Sequence, residues 1–142
     1  MIKVFIATSR HIGKLCDEWA HANTPTGFEI VDDMADSDII LSIMYEKIIP
    51  SNYTRTKKCF NFHPGVLPAY KGSGTFSWVL INQESKAGVT LHLMDEGIDT
   101  GDIIEIREFL IAKGDTAITL FQKGEETIFR MFKGWYADLL IG

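Results

Sequence analysis

The sequence has little cysteine: two residues in 142, Cys16 and Cys59. They show no C-x-x-C spacing and no disulfide framework. Both lie in apolar-patterned segments, which makes them reduced core residues. Long hydrophobic runs are missing too, and no stretch approaches the roughly 20 apolar residues of a membrane-spanning helix. The opening Met1-Ile2-Lys3-Val4-Phe5-Ile6 has the pattern of a strand and not that of a secretory signal. The expectation is a cytoplasmic chain with no membrane partner. Positive charge is in deficit, with 14 Lys and Arg against 19 Asp and Glu, a formal net charge of −5. An acidic chain lacks the field that draws nucleic-acid phosphates, so no nucleic-acid partner is expected. The one compact basic cluster, Arg55, Lys57 and Lys58, reads as a solvated loop.

What is present is an ordinary globular composition, 46% hydrophobic and 23% charged. A chain of this length is one domain by size, burying roughly 70% of its unfolded surface. Ile2 to Ala7 reads as a short β-branched strand, and His11 to Ala22 as an amphipathic helix with Ile12, Leu15, Cys16 and Trp19 on one face. Asn23-Thr24-Pro25-Thr26-Gly27 breaks that helix. Phe28 to Val31 is a second strand, and acidic Asp32 to Asp38 is a loop or a short helical turn. Ile39-Ile40-Leu41-Ser42-Ile43 is apolar throughout, as suits a parallel sheet covered on both faces. Lys58 to Phe62, Gly88 to Met94 and Ile103 to Ile111 are further strands, and Phe76 to Asn82 is a helix. Asp115 to Leu140 reads as a helix that Gly124 and Gly134 bend or split. The strand–helix–strand order indicates an α/β, Rossmann-like fold: a mostly parallel twisted sheet with helices on both faces.

Three segments carry residues with chemistry. In Asn61-Phe62-His63-Pro64, residues two apart on a strand face the same way. Asn61 and His63 therefore share a side at the carboxyl end of a strand, where open α/β sheets bind ligands. An amide donor beside a titratable imidazole can hold a carbonyl oxygen as it becomes an oxyanion. A strand end with one solvated histidine gives the same triplet. The segment His92-Leu93-Met94-Asp95-Glu96-Gly97-Ile98-Asp99-Thr100-Gly101 places three acids and two glycines after a strand. One of its carboxylates can pair with His63, raising its pKa and orienting it; a solvated acidic turn is the alternative. His63, His92, Asp95 and Asp99 are possible metal ligands, but no ligand spacing appears and no metal is expected. Pro68-Ala69-Tyr70-Lys71-Gly72-Ser73-Gly74 is a glycine-rich loop without the phosphate-binding P-loop pattern, a candidate mobile substrate loop.

Taken together, the run from Asn61 to Gly72 and the run from Gly88 to Ile104 closely resemble the signature of the 10-formyltetrahydrofolate-dependent formyltransferases. That family includes the glycinamide ribonucleotide, methionyl-tRNA and amino-sugar-nucleotide formyltransferases. The resemblance extends from about Asp38 to Asp115. It implies Asn61, His63 and Asp99 as the catalytic set, with Asn61 and protonated His63 stabilising the oxyanion and Asp99 holding His63 charged and oriented. It implies 10-formyltetrahydrofolate as formyl donor and a small-molecule primary amine as acceptor. Met44-Tyr45-Glu46-Lys47-Ile48-Ile49-Pro50 matches the family's folate-lining segment. Met44, Tyr45, Ile48, His92, Asp95 and Gly97 are the expected folate contacts. Ser9, Arg10, Tyr70 and Lys71 are the expected acceptor contacts.

The departures shape the expectation further. Gly65 stands where the family often has serine. Ala7-Thr8-Ser9-Arg10 lacks the Gly/Ser-rich phosphate grip of the glycinamide ribonucleotide enzymes. The stretch before Asn61 is short, as though one strand–helix unit were missing. The expectation is a single catalytic domain over residues 1–142, shortened in its N-terminal half and without the C-terminal domain of the tRNA-directed members. A non-catalytic folate- or nucleotide-binding descendant and a metal hydrolase are the competing readings. Trp135, Tyr136 and Leu139-Leu140-Ile141 either form an interface, as in a homodimer, or close the core.

Overall fold

Ile39–Ile43 is buried at every residue. A strand with no exposed face has to lie inside a sheet covered on both sides. The computed structural model, which describes residues 1–142, places it there. The elements in chain order are β1 (Ile2–Thr8), α1 (His11–Asn23), β2 (Phe28–Ile30), β3 (Ile39–Ile43), α2 (Ser51–Thr56), β4 (Lys58–His63), α3 (Thr75–Ile81), β5 (Lys86–Leu93), β6 (Ile103–Leu110) and α4 (Ala117–Ile141). The six strands form one sheet in the order β2-β1-β3-β4-β5-β6. β2, β1, β3 and β4 are mutually parallel. β5 runs antiparallel to β4, and β6 antiparallel to β5.

Alternation along each strand sorts side chains between two layers. Val4, Ile6, Leu41, Phe60, Phe62, Val89 and Leu91 point to one face. There they pack against Ile12, Cys16 and Ala20 of α1 and against Ile128, Met131, Phe132 and Tyr136 of α4. Ala7, Ile40 and Cys59 point to the other face, against Ile49, Met34, Tyr53 and Met94. Phe76 and Val79 of α3 pack on Ala87 and Leu120 beside the first layer. The two cysteines are unpaired and lie on opposite faces of the sheet. Burial pushes the Cys16 thiol up to about 12 and Cys59 up to about 11, so both stay protonated and unreactive.

α4 is not split at its glycines: its 25 residues run unbroken. A capping box starts it, with Thr119 N–H donating to the Thr116 hydroxyl and Thr116 N–H to the Thr119 hydroxyl. Gly124 lies where the helix passes α3, and a Cβ there would stand 2.6 Å from Phe76 Cζ. Its glycine meets a packing need and the helix continues through it. The apolar C-terminal end closes the core. Tyr136 is fully buried and its hydroxyl bonds Thr24 Oγ1 at 2.8 Å. Trp135 Nε1 donates to Glu105 at 2.6 Å, and Leu139 and Leu140 are buried. α2 had no signal in the apolar pattern, because its six residues bury none of their number. No helix is long and apolar enough to cross a membrane.

The two helix glycines give a paired test. Gly124→Ala forces a methyl into Phe76 and is expected to destabilise by about 1–3 kcal/mol. Gly134 meets nothing within 4 Å, so Gly134→Ala is expected to stabilise by about 0.5–1 kcal/mol through helix propensity alone. Urea unfolding midpoints check both signs; equal effects would mean that Phe76 does not press on the helix.

Candidate functional site

Antiparallel pairing of β4 with β5 sets Asn61 opposite His92 and His63 opposite Thr90. Phe60 and Phe62 point to the α1/α4 layer, so Asn61 and His63 share the other face, as period two requires. Pro64 ends β4, and the chain folds back over that face as a loop to α3. The Thr90 hydroxyl donates to Gly65 O at 2.7 Å and accepts from Leu67 N–H at 3.1 Å. The Thr75 hydroxyl donates to Pro64 O. A register shift between Leu91 and His92 against β6 marks a bulge next to the site.

The histidines are nearly inaccessible, His63 at 4% and His92 at 1%. His92 Nδ1–H donates to Leu93 O at 2.8 Å, which leaves Nε2 to accept from the Asn61 amide at 3.2 Å. His63 Nε2–H donates to Tyr70 O at 2.7 Å, which leaves Nδ1 facing Asp99 Oδ2 at 3.6 Å. The other Asp99 oxygen lies 3.7 Å from His92 Nε2. Asp99 adopts a left-handed backbone, φ 55°, one of few residue types that does so readily. Its Oδ2 accepts from Gly72 N–H at 2.8 Å. One carboxylate thus lies close to both histidines and holds the glycine-rich loop through Gly72 N–H.

The charge balance at His63 runs against the expectation that its carboxylate raises the pKa. Burial comes first and lowers it; the Tyr70 bond and Asp99 raise it by less, and His92 lowers it again. A carboxylate at 3.6 Å that already serves Gly72 does not offset the loss of water around the charged ring. His63 is therefore neutral at pH 7 in this state, where protonation was expected.

A cleft of about 420 Å³ opens over these groups. Asn61, His63 and Asp99 lie along it with Met44 and Tyr45, and Arg10 and Glu46 stand together on its rim. Several expected contacts lie elsewhere. Ile48 is 91% exposed and does not line the cleft. Asp95 accepts from Gly97 N–H and Thr100 Oγ1 within its own turn, so the four possible metal ligands are not brought together. Gly97 belongs to that turn. Ser9 accepts from Glu46 N–H at 3.0 Å, bracing the rim. Tyr70 sends its carbonyl to His63, while its hydroxyl accepts from Asn82. Lys71 is exposed to solvent. Glu46 lines the cleft as part of the expected segment from Met44 to Pro50, whereas Phe121 had not been expected there. Arg10 Nε lies 3.2 Å from Glu46 Oε1, and its guanidinium 5.8 Å from the centre of the Phe121 ring. No local pattern places Phe121 there, since it arrives on a helix 60 residues after Asn61.

Residues 21–132 match the family described as formyl transferase. The GDP-perosamine N-formyltransferase of Brucella melitensis biotype 1 is 40% identical over 90 residues, which cover 62% of this chain and 35% of that one. The methionyl-tRNA formyltransferase of a Nitratiruptor species is 41% identical over 86 residues, 61% of this chain and 28% of that one. The chain thus spans about a third of the length of the curated relatives it matches. Among solved structures, the N-formyltransferase from Helicobacter canadensis, in complex with folinic acid and dTDP-3-aminofucose, superposes with a TM-score of 0.83 at 26% identity. That match covers 99% of this chain and 64% of the other.

The state of His63 is open to direct measurement. Its NMR titration midpoint is expected below the ordinary value of 6.5. A lowered pKa stabilises the fold fully above the unfolded value. That contribution falls as pH drops below about 6.5 and through the folded value. His63→Gln is expected to flatten this part of the stability–pH curve; a midpoint above 6.5 would reverse the sign.

Proposed function

The chain belongs to the formyl transferase family, and on that premise we propose that it transfers the formyl group of 10-formyltetrahydrofolate to a primary amine of an amino-sugar nucleotide. The observation that carries this reading is the convergence of Asn61, His63 and Asp99 on one cleft, with Asp99 3.6 Å from His63. The relatives support the two substrates: one is named for perosamine transfer, and another was solved with folinic acid and an amino-sugar nucleotide. A phosphate-bearing acceptor of the glycinamide ribonucleotide kind meets the same rim. Two buried, unpaired thiols suit the reducing cytoplasm as its place of action.

The lining of the cleft offers groups that suit parts of both partners. Met44 and Tyr45 offer an apolar wall for a flat ring. Arg10 on the rim is half exposed and its charge is shared with Glu46, so it can meet an acceptor phosphate. When bound, the folate carrier supplies a formyl carbon already activated for attack by an amine. One hydrogen of the Asn61 amide is held by His92 Nε2; the other is free for the formyl oxygen as charge grows on it. Neutral His63 and the Asp99 carboxylate take up the proton that the attacking amine gives off. Asp99 then balances the imidazolium, and the proton is available to the departing nitrogen. Holding two substrates over one floor supplies much of the remaining acceleration.

One observation favours a second reading, a folate- or nucleotide-binding protein without catalysis: both ring nitrogens of His63 already have neighbours. Assay of tetrahydrofolate release with a panel of amino-sugar nucleotides separates the two. Asn61→Ala, His63→Ala and Asp99→Ala are each expected to lower kcat by about 10²–10³-fold, the cost of removing an oxyanion-stabilising donor at Asn61 or a proton-transfer group at His63 and Asp99, with unchanged circular dichroism. Undiminished turnover in all three would rule out this site, and binding of both ligands without release would establish the second reading.

A further inference from the structure

α4 buries one side and leaves another open beside the cleft. Leu120, Gly124, Ile128 and Met131 are buried against the core. Ile118, Phe121, Gln122 and Glu125 stand at positions i, i+3, i+4 and i+7, so they share a different side of the helix. There they line a shallow hollow of about 380 Å³. Phe121 also borders the cleft that holds Asn61, His63 and Asp99. The hollow therefore continues the cleft, with one aromatic ring common to both. Arg10 stands at that junction, its guanidinium 5.8 Å from the ring centre.

The hollow has an apolar surface and a polar border. Ile118 is 72% exposed, and beside Phe121 it offers a surface on which a flat ring can lie. Gln122 is exposed and Glu125 half-buried next to it. The nearest cations on the helix are engaged elsewhere, Lys123 with Asp115 and Arg130 with Glu126. Glu125 keeps an unpaired carboxylate, which can only accept, and Gln122 keeps a free amide, which can donate.

Along this surface the groups run from Asn61, past Arg10, to Ile118 and Glu125. An amino-sugar nucleotide carries its parts in the same order: amine, diphosphate, base. We propose that the hollow on α4 is the base subsite of the acceptor and that it takes guanine. The inference rests on the acceptor being a nucleotide, as proposed above. Guanine sets two N–H donors side by side, N1–H and the 2-amino group, which match the two oxygens of a carboxylate. Its O6 lies next to N1–H and accepts from an amide such as that of Gln122. Uracil and thymine present one N–H between two carbonyl oxygens, which a carboxylate repels. Adenine and cytosine set their amino group beside an acceptor nitrogen. Glu125 thus discriminates between bases, whereas Arg10 meets the phosphates that all nucleotides share.

Calorimetric titration of the full chain with GDP, IDP and UDP tests this; the base of IDP is guanine without the 2-amino group. Wild type is expected to bind GDP about tenfold more tightly than UDP, with IDP between them, as hydrogen bonds to a charged group predict. Glu125→Gln should weaken GDP about tenfold, leave UDP within about twofold and bring the GDP-to-IDP ratio close to one. Arg10→Gln should weaken all three alike and leave the ratios unchanged. Equal wild-type affinity for GDP and UDP would overturn the subsite without recourse to any variant, as would the absence of GDP binding. A folded Glu125→Gln that keeps the wild-type GDP-to-IDP ratio would overturn it too. Formyl transfer to an amino-sugar nucleotide that ignores Glu125 would overturn the base subsite and leave the proposed function standing. Selective GDP binding without formyl transfer to any amine would support the subsite and overturn the enzymatic reading.

Discussion

The antiparallel pairing of β4 with β5 is the constraint on which the site depends. It sets Asn61 against His92 and His63 against Thr90. The contacts at the centre of the site use these four residues. His92 takes a hydrogen of Asn61. Thr90 pins the loop that brings Tyr70 O to His63. Asp99, reached beyond the end of β5, closes on both rings. A one-residue slip in this pairing would turn His92 and Thr90 to the α1/α4 layer and take the site apart at once.

The second governing balance is between burial and charge. Three titratable groups stand together in a region nearly closed to water. Asp99 is the most accessible of the three and has the Gly72 N–H as a partner. His63 stays neutral because desolvation outweighs a carboxylate held beyond hydrogen-bond distance. On the proposed function, a neutral ring is the form that takes a proton when an amine attacks. The glycine-rich loop enters the same balance through backbone groups, with one carbonyl for His63 and one N–H for Asp99.

Much of this was legible in order and type. The six strands and three of the four helices follow from runs of apolar and β-branched residues and from breaks at Pro25 and Gly27. α2 did not, since six residues of which none is fully buried make no periodic apolar pattern. Gly124 misled because propensity describes an isolated helix, whereas Phe76 uses the missing side chain. Asn61, His63 and Asp99 were reachable as candidates because they fall in two dense motifs. Asp95, Gly97, Ile48, Tyr70 and Lys71 come from the same motifs or their flanks, and motif membership does not say which way a side chain turns. Asp95 spends its carboxylate within its own turn, and Tyr70 contributes its backbone instead of its ring.

The sequence by itself determined the α/β class, the shared face of Asn61 and His63, and the chemistry on offer. These depend on local periodicity and on residue type, which act over a few neighbouring positions. Only the tertiary structure decided that Asp99 lies between two histidines, that burial leaves His63 neutral, and that Phe121 borders the cleft. Those facts depend on distances between residues far apart in the chain and on how much water is excluded around them. Neither quantity exists until the sheet is paired and the loop has closed.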